Sequence, residues 1–274
     1  MDFCVIGHRG AAGHAPENTM AAFACAQRMG LSDVELDVRL SRDGVLVLFN
    51  GPSLEEKTPL VGRVEDFECA ELVQADVGRW FDAARGDGSE AHAGETLTTL
   101  VDVVARFGAS LRYHVELKGA QPELPVRALE VCRTYPAVEF VVTSFRFDHL
   151  VRARELDRDI SLCWLLGDDP RDPGASSQRE FASRLALQRE RIERAAHAGF
   201  TAVGVRAAAC SREAVACARL SGLDVRAWGV HTQADLEHAL ACGISGLTVD
   251  WPLEVLRRLP AQRSSRGVFV EPDC

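Results

Sequence analysis

Short apolar runs alternate with helical stretches along this chain, and that alternation narrows the fold more than any other feature. The runs are Phe3–Gly7, Val34–Leu40, Val45–Phe49, Leu111–Leu117, Phe140–Thr143, Ser161–Leu166, Ala202–Val205, Val225–Val230 and Gly246–Val249. Helical spacing is seen over Met20–Met29, Leu97–Phe107, Pro125–Thr134, Phe147–Leu156, Glu180–His197, Ser211–Leu220 and Gln233–Ala241. With Val45–Phe49 counted as an extension of the second strand beyond an Arg42-Asp43-Gly44 turn, eight strands are expected. Strands alternating with helices pair in parallel through right-handed crossovers. Eight such units close into a (β/α)8 TIM barrel. An open doubly wound sheet competes, but no GxGxxG follows the first strand to support it.

The 274 residues correspond to about 1.8 domains at ~150 residues each, and barrels of ~250 residues are common as single domains. The expected organisation is one barrel domain over 1–260, with a small insertion at 51–94 after the second strand. Residues 261–274 are polar and read as a loosely held tail. Apolar residues make up 47% and charged residues 26% of the chain, the proportions of a globular protein and not of a disordered one. The net charge of −9 argues against nucleic acid as a partner. No run is long and apolar enough to cross a membrane. The N-terminus lacks the basic region of a signal peptide. The nine cysteines show no CxxC pair and sit mostly in apolar segments, which suits reduced thiols in a cytoplasmic protein. Oligomeric state is left open.

In such a barrel the chemistry occupies the C-terminal ends of the strands. His8 and Arg9 follow the first run. Glu35 and Asp37 alternate in the second, so both side chains face the same way. Asn50 ends the third run, Glu116 and Lys118 close the fourth on one face, Trp228 lies near the end of Val225–Val230, and Asp250 ends the last. A Glu-x-Asp on a strand is usually a solvated face. Pointed into a barrel, carboxylates would be buried like charges unless a cation sits among them. Three carboxylates, Glu35, Asp37 and Glu116, make an oxygen-rich site suited to one hard divalent cation, Mg²⁺ or Ca²⁺. Zinc fits less well, with one histidine nearby and no cysteine. Arg9 and Lys118 add the fixed charge that a phosphate requires. His8 supplies an imidazole able to move a proton near neutral pH. The Trp228 ring is suited to pack on an apolar or glycerol-like part of a small-molecule substrate.

These residues carry a pattern. His8-Arg9-Gly10, Pro16-Glu17-Asn18-Thr19, Glu35-Leu36-Asp37-Val38 and Asp43-Gly44 resemble the N-terminal signature of the glycerophosphodiester phosphodiesterase family. Val115-Glu116-Leu117-Lys118, Thr143-Ser144-Phe145, Trp228-Gly229-Val230 and Thr248-Val249-Asp250-Trp251-Pro252 continue the match in order over nearly the whole chain. The resemblance implies a (β/α)8 barrel with an insertion after the second strand. It implies metal-dependent hydrolysis of glycerophosphodiesters to an alcohol and glycerol 3-phosphate. On that basis Glu35, Asp37 and Glu116 would hold the metal, Arg9 and Lys118 would hold phosphate oxygens, Glu17 would support them from behind, and His8 would be one of two catalytic histidines. In the usual proposal for the family, a neighbouring hydroxyl of the substrate attacks phosphorus and water opens the resulting cyclic ester.

The pattern breaks at one place. Where the family carries a His-Asp pair, this chain has Asn50-Gly51 within Leu48-Phe49-Asn50-Gly51-Pro52-Ser53-Leu54. An amide can hold a phosphate oxygen but cannot exchange a proton at useful pH. Three readings follow. Another carrier, such as His14 or metal-bound water, moves the second proton; the substrate has a better leaving group; or the protein binds phosphodiesters without turning them over. Two further classes share features with this pattern. A toxin-like phospholipase D would be secreted and disulfide-bonded, and a sugar-phosphate isomerase would not need three clustered carboxylates.

Overall fold

The strand with the most informative sequence, β2 (Asp33–Leu40), is buried at all eight positions, as a strand covered on both faces must be. It pairs in parallel with β1 (Cys4–Gly7) and with β4 (Arg112–Leu117). The remaining strands are β3 (Leu46–Leu48), β5 (Phe140–Ser144), β6 (Ser161–Leu165), β7 (Ala202–Arg206), β8 (Asp224–Trp228) and β9 (Gly246–Val249). The hydrogen-bonded order is β1-β9-β8-β7-β6-β5-β4-β2-β3, with a further β1–β2 pairing that closes the sheet. The result is a (β/α)8 barrel. The computed structural model describes residues 3–86, 88, 90–167 and 178–259, leaving aside the side chains of 178–183. The tail expected at 261–274 lies outside the described residues.

Val45–Phe49 does not extend the second strand. Its central residues form β3, which runs antiparallel to β2 with Val38 opposite Leu48 and Leu40 opposite Leu46. Gly44, at φ 79°, makes the reversal. That left-handed conformation suits glycine. The eight parallel strands therefore stand without β3, which is a ninth.

The helices are α1 (Met20–Arg28), α2 (Cys69–Leu72), α3 (Gly78–Arg85), α4 (Leu100–Phe107), α5 (Leu124–Thr134), α6 (Phe147–Leu156), α7 (Gln178–His197), α8 (Arg212–Leu220), α9 (Gln233–Cys242) and α10 (Pro252–Arg258). Capping explains several starts. Thr19, Thr99, Ser211 and Thr232 accept backbone N–H groups at the first turns of α1, α4, α8 and α9. Among the described residues, no helix is long and apolar enough to cross a membrane.

The described residues form two compact units, one drawn from 5–140 with 250–259 and the other from 3–4 with 141–249. In the first, a buried cluster of Val47, Phe49, Leu54, Val64, Leu72, Ala75, Val77 and Leu97 joins β3 to the 51–94 segment. That segment holds α2, α3 and two 3-10 turns, Leu54–Glu56 and Val64–Asp66. In the second, β5 to β9 pair in parallel, with Val141, Cys163 and Ala202 packed together.

Candidate active site

Strand register builds the centre of the site. The two-residue period sends Glu35, Asp37 and Arg39 to one face of β2. The β2–β4 register sets Asp37 directly beside Glu116. Oxygens of Glu35, Asp37 and Glu116 all lie within 4.8 Å of one another, and the three residues are buried. Three carboxylates this close cannot all keep ordinary acidity. Burial, then the neighbouring Asp37 and Glu116, push the Glu35 carboxyl up to about 8. Burial and Asp37 raise Glu116 as well, against the pull of Lys118. Asp37 moves the other way, because Lys118 and Arg9 outweigh its burial.

The cations responsible lie within ion-pair distance. Lys118 Nζ stands 2.5 Å from Glu116 Oε1 and 3.2 Å from Asp37 Oδ1, and Arg9 Nε is 3.0 Å from Asp37 Oδ2. Asn18 grips the same aspartate from both ends: its Nδ2 donates to Asp37 Oδ2 at 3.0 Å and its Oδ1 accepts from the Asp37 N–H at 3.2 Å. Arg9 and Asn18 both adopt left-handed backbone, φ 50° and 58°. For residues with a side chain this conformation stores strain that the surroundings must hold in place. The Arg9 N–H donates to Glu35 Oε2 at 3.1 Å and the Asn18 N–H to the Arg9 carbonyl at 3.0 Å. Behind Arg9, Glu17 accepts from its guanidinium at 2.7 Å and from Lys57 Nζ at 2.6 Å, and Lys57 lies 4.9 Å over the Trp80 ring.

His8 follows β1 and completes the group. Its Nδ1 is 2.5 Å from Asp250 Oδ1, while Nε2 is 3.9 Å from Glu35 Oε2. Burial opposes the imidazolium, but the bond to Asp250 and the charge of Glu35 prevail and raise the His8 pKa. A proton on Nδ1, held by Asp250, leaves Nε2 as the nitrogen on the carboxylate side.

The family model for the glycerophosphoryl diester phosphodiesterase family matches residues 8–254. The chain belongs to that family. Its members are hydrolases, and this protein is an enzyme of that class. The chain is 30% identical to YhdW of Bacillus subtilis over 252 residues, covering 90% of this chain and 94% of that one. It is 25% identical to the glycerophosphodiester phosphodiesterase of Bacillus subtilis over 257 residues, covering 90% and 83%. Among solved structures, it resembles an Oleispira antarctica phosphodiesterase in complex with the product sn-glycerol-3-phosphate. That match has a TM-score of 0.75 and 25% identity, covering 93% of this chain and 95% of that one.

The glycerophosphodiesterase chain brings together some of the residues the sequence singles out and leaves others apart. His8, Arg9, Glu17, Glu35, Asp37, Glu116 and Lys118 meet in one constellation. Asn50 stands at the end of β3, where its carbonyl accepts from Arg39 at 3.2 Å. Trp228 ends β8 in the other compact unit, with its Nε1 donating to the Gly204 carbonyl at 3.3 Å and its ring edge-on to Phe145. His14 is 4.0 Å from Glu254, its acidic neighbour, and is not part of the carboxylate cluster. Burial lowers the His14 pKa against the charge of Glu254, and Arg85 adds to the lowering. The sequence alone gives no role to Asn18 or Lys57, and it marks Asp250 as a carboxylate at a strand end within the family pattern.

The carboxylates fit a metal. Glu35 Oε1 is buried and takes no hydrogen bond. The three side chains offer only oxygen, the donor that hard divalent cations prefer. A divalent charge among them would reverse the upward shifts of Glu35 and Glu116.

Proposed function

We propose that this protein hydrolyses glycerophosphodiesters to an alcohol and glycerol 3-phosphate, with one divalent cation, Mg²⁺ or Ca²⁺, held by Glu35, Asp37 and Glu116. The observation that carries this is the buried carboxylate triad flanked by Arg9 and Lys118, with His8 Nε2 on its Glu35 side. When bound, the cation supplies Lewis-acid polarisation of a phosphoryl oxygen and a template for the substrate. Arg9 and Lys118 hold phosphoryl oxygens and offset their charge. His8 Nε2 takes the proton of the attacking hydroxyl, and Asp250 fixes the tautomer through Nδ1, so Asp250 is a positioning residue. Glu17 orients Arg9. Trp228 is assigned to the glycerol carbons on the family resemblance of the Trp228-Gly229-Val230 motif alone. The chain is read as a single barrel domain over 1–260, with 51–94 as its insertion.

Asn50 favours a second reading, in which proton transfer to the departing alcohol is weakened or lost and the protein acts mainly as a glycerophosphate binder. Purified protein assayed with glycerophosphocholine and with bis(p-nitrophenyl) phosphate, under Mg²⁺ and under Ca²⁺, separates the two. Turnover of the choline ester supports the hydrolase. No turnover of either ester, together with stabilisation by glycerol 3-phosphate, supports the binder.

A further inference from the structure

Arg39 is a buried cation that the roles above leave unused. It lies two residues beyond Asp37 on β2 and so leaves the strand on the face that carries Glu35 and Asp37. It is only 9% exposed. Its guanidinium reaches the Asn50 carbonyl at 3.2 Å and Glu65 Oε1 at 3.5 Å, while its Nε is buried without a partner. Glu65 Oε1 is shared with Gln121 at 3.1 Å and Arg63 at 3.5 Å. A buried guanidinium kept only to tie Glu65 would be expected in a close two-bond pair, because burying the charge otherwise costs several kcal/mol. Two long contacts and an idle donor leave this one with capacity for a further anion. The backbone atom it touches belongs to the residue that replaces the family's second histidine.

We propose, resting on the hydrolase reading above, that Arg39 faces the departing alcohol oxygen and supplies as fixed charge what position 50 cannot supply as a proton. In this scheme the glycerol hydroxyl attacks phosphorus and gives its proton to His8 Nε2. The bond from phosphorus to the alcohol oxygen breaks, and the alkoxide leaves against the Arg39 guanidinium. The alkoxide takes a proton from water, which leaves hydroxide. Hydroxide adds to the phosphorus of the cyclic ester, and the ring P–O bond breaks as His8 returns its proton to that oxygen. The sum is diester plus water giving alcohol and glycerol 3-phosphate, with His8 restored. A guanidinium does not release its proton at working pH, so the device matters most for alcohols that leave badly.

The test compares two esters of glycerol 3-phosphate, one with choline and one with p-nitrophenol, which share the attacking hydroxyl and differ in leaving group. Arg39→Met is expected to lower kcat on the choline ester about 10²-fold, the scale for removing one charge-stabilising donor. KM should change little, the nitrophenyl ester should be nearly unaffected, and millimolar guanidinium ion should restore part of the lost rate. Arg39→Lys, which keeps a charge near Glu65, covers the case in which the methionine variant fails to fold. It should show the same selective loss, to a smaller extent. Equal losses on both esters with a lowered unfolding temperature would mean that Arg39 only braces Glu65, and a raised KM on both esters would mean that it binds phosphate in the ground state. Either result overturns the proposal. If the unmodified protein hydrolyses neither ester, the hydrolase reading itself fails.

Discussion

The same two strands carry a buried acid at both ends, and the two ends behave in opposite ways. At the start of β2, Asp33 accepts from His114 Nε2 at 2.9 Å and from Arg112 Nε at 2.5 Å. Burial would raise its pKa, but His114 and Arg112 hold it well below the usual carboxylate range. Further along the same strands, Glu35 and Glu116 are driven upward. Register explains both outcomes, since it sets Asp33 beside Arg112 and Asp37 beside Glu116. The first end meets its own charge demand and so braces the sheet. The second concentrates like charge at a cost that a ligand must offset. In a barrel of this kind, the first behaviour belongs to the stability face and the second to the chemical face.

The contrast can be broken at either end. The largest effect is expected at the chemical end. Glu35→Ala should abolish metal-dependent activity and metal binding by calorimetry, a loss worth several kcal/mol of transition-state stabilisation. It should leave the unfolding temperature unchanged or higher, because one acid of a buried, mutually repelling cluster is gone. Unchanged metal affinity would remove Glu35 from the ligand set. At the other end, Asp33→Asn should cost about 3–5 kcal/mol of stability by taking from Arg112 and His114 the buried carboxylate they share, with kcat of the folded fraction unchanged. Urea unfolding at several pH values gives the sign. A carboxyl whose folded pKa is depressed contributes its full stability above its unfolded value, near 3.8, and loses it as pH falls towards the folded one. The difference between wild type and variant should therefore be flat near neutrality and shrink in acid.

Next in size, Asn50→His should raise the rate on glycerophosphocholine by up to ~10²-fold, the lower range for one general acid. No gain would mean that proton transfer to the alcohol does not limit this enzyme. The smallest effect is expected from His14→Gln, because His14 neighbours Glu254 and not the carboxylate cluster. A large loss of kcat there, with stability unchanged, would make His14 the second proton carrier.

How much of this was legible in the sequence follows from the range of each interaction. The barrel could be read because its parallel strands and most of the helices between them announce themselves within a few residues. Glu35 and Asp37 could be read because a strand alternates faces regardless of its neighbours. Val45–Phe49 was harder, since an apolar run does not say which way it pairs. The Gly44 reversal, and with it the antiparallel β3, is set by backbone geometry. His8 and Asp250 lie 242 positions apart, and no local pattern announces their bond. Lys57 was hidden for a related reason, because its partner Glu17 sits 40 residues upstream. Asn18 lay in plain view inside a recognised motif, but its double grip on Asp37 depends on a left-handed backbone angle that composition does not reveal.

Glu17 sits between two cations, with one oxygen on Arg9 and the other on Lys57. In the proposed role of Arg9, an anion that drew it away would not strand Glu17, because Lys57 still holds its other oxygen. Phosphate arrival would then be an exchange of partners and not a net loss of pairing. The residue that makes the exchange cheap belongs to the 51–94 segment, outside the strand ends where the chemistry occurs. If Arg9 holds phosphate as proposed, changes in that segment would retune that grip through Lys57 and Glu17.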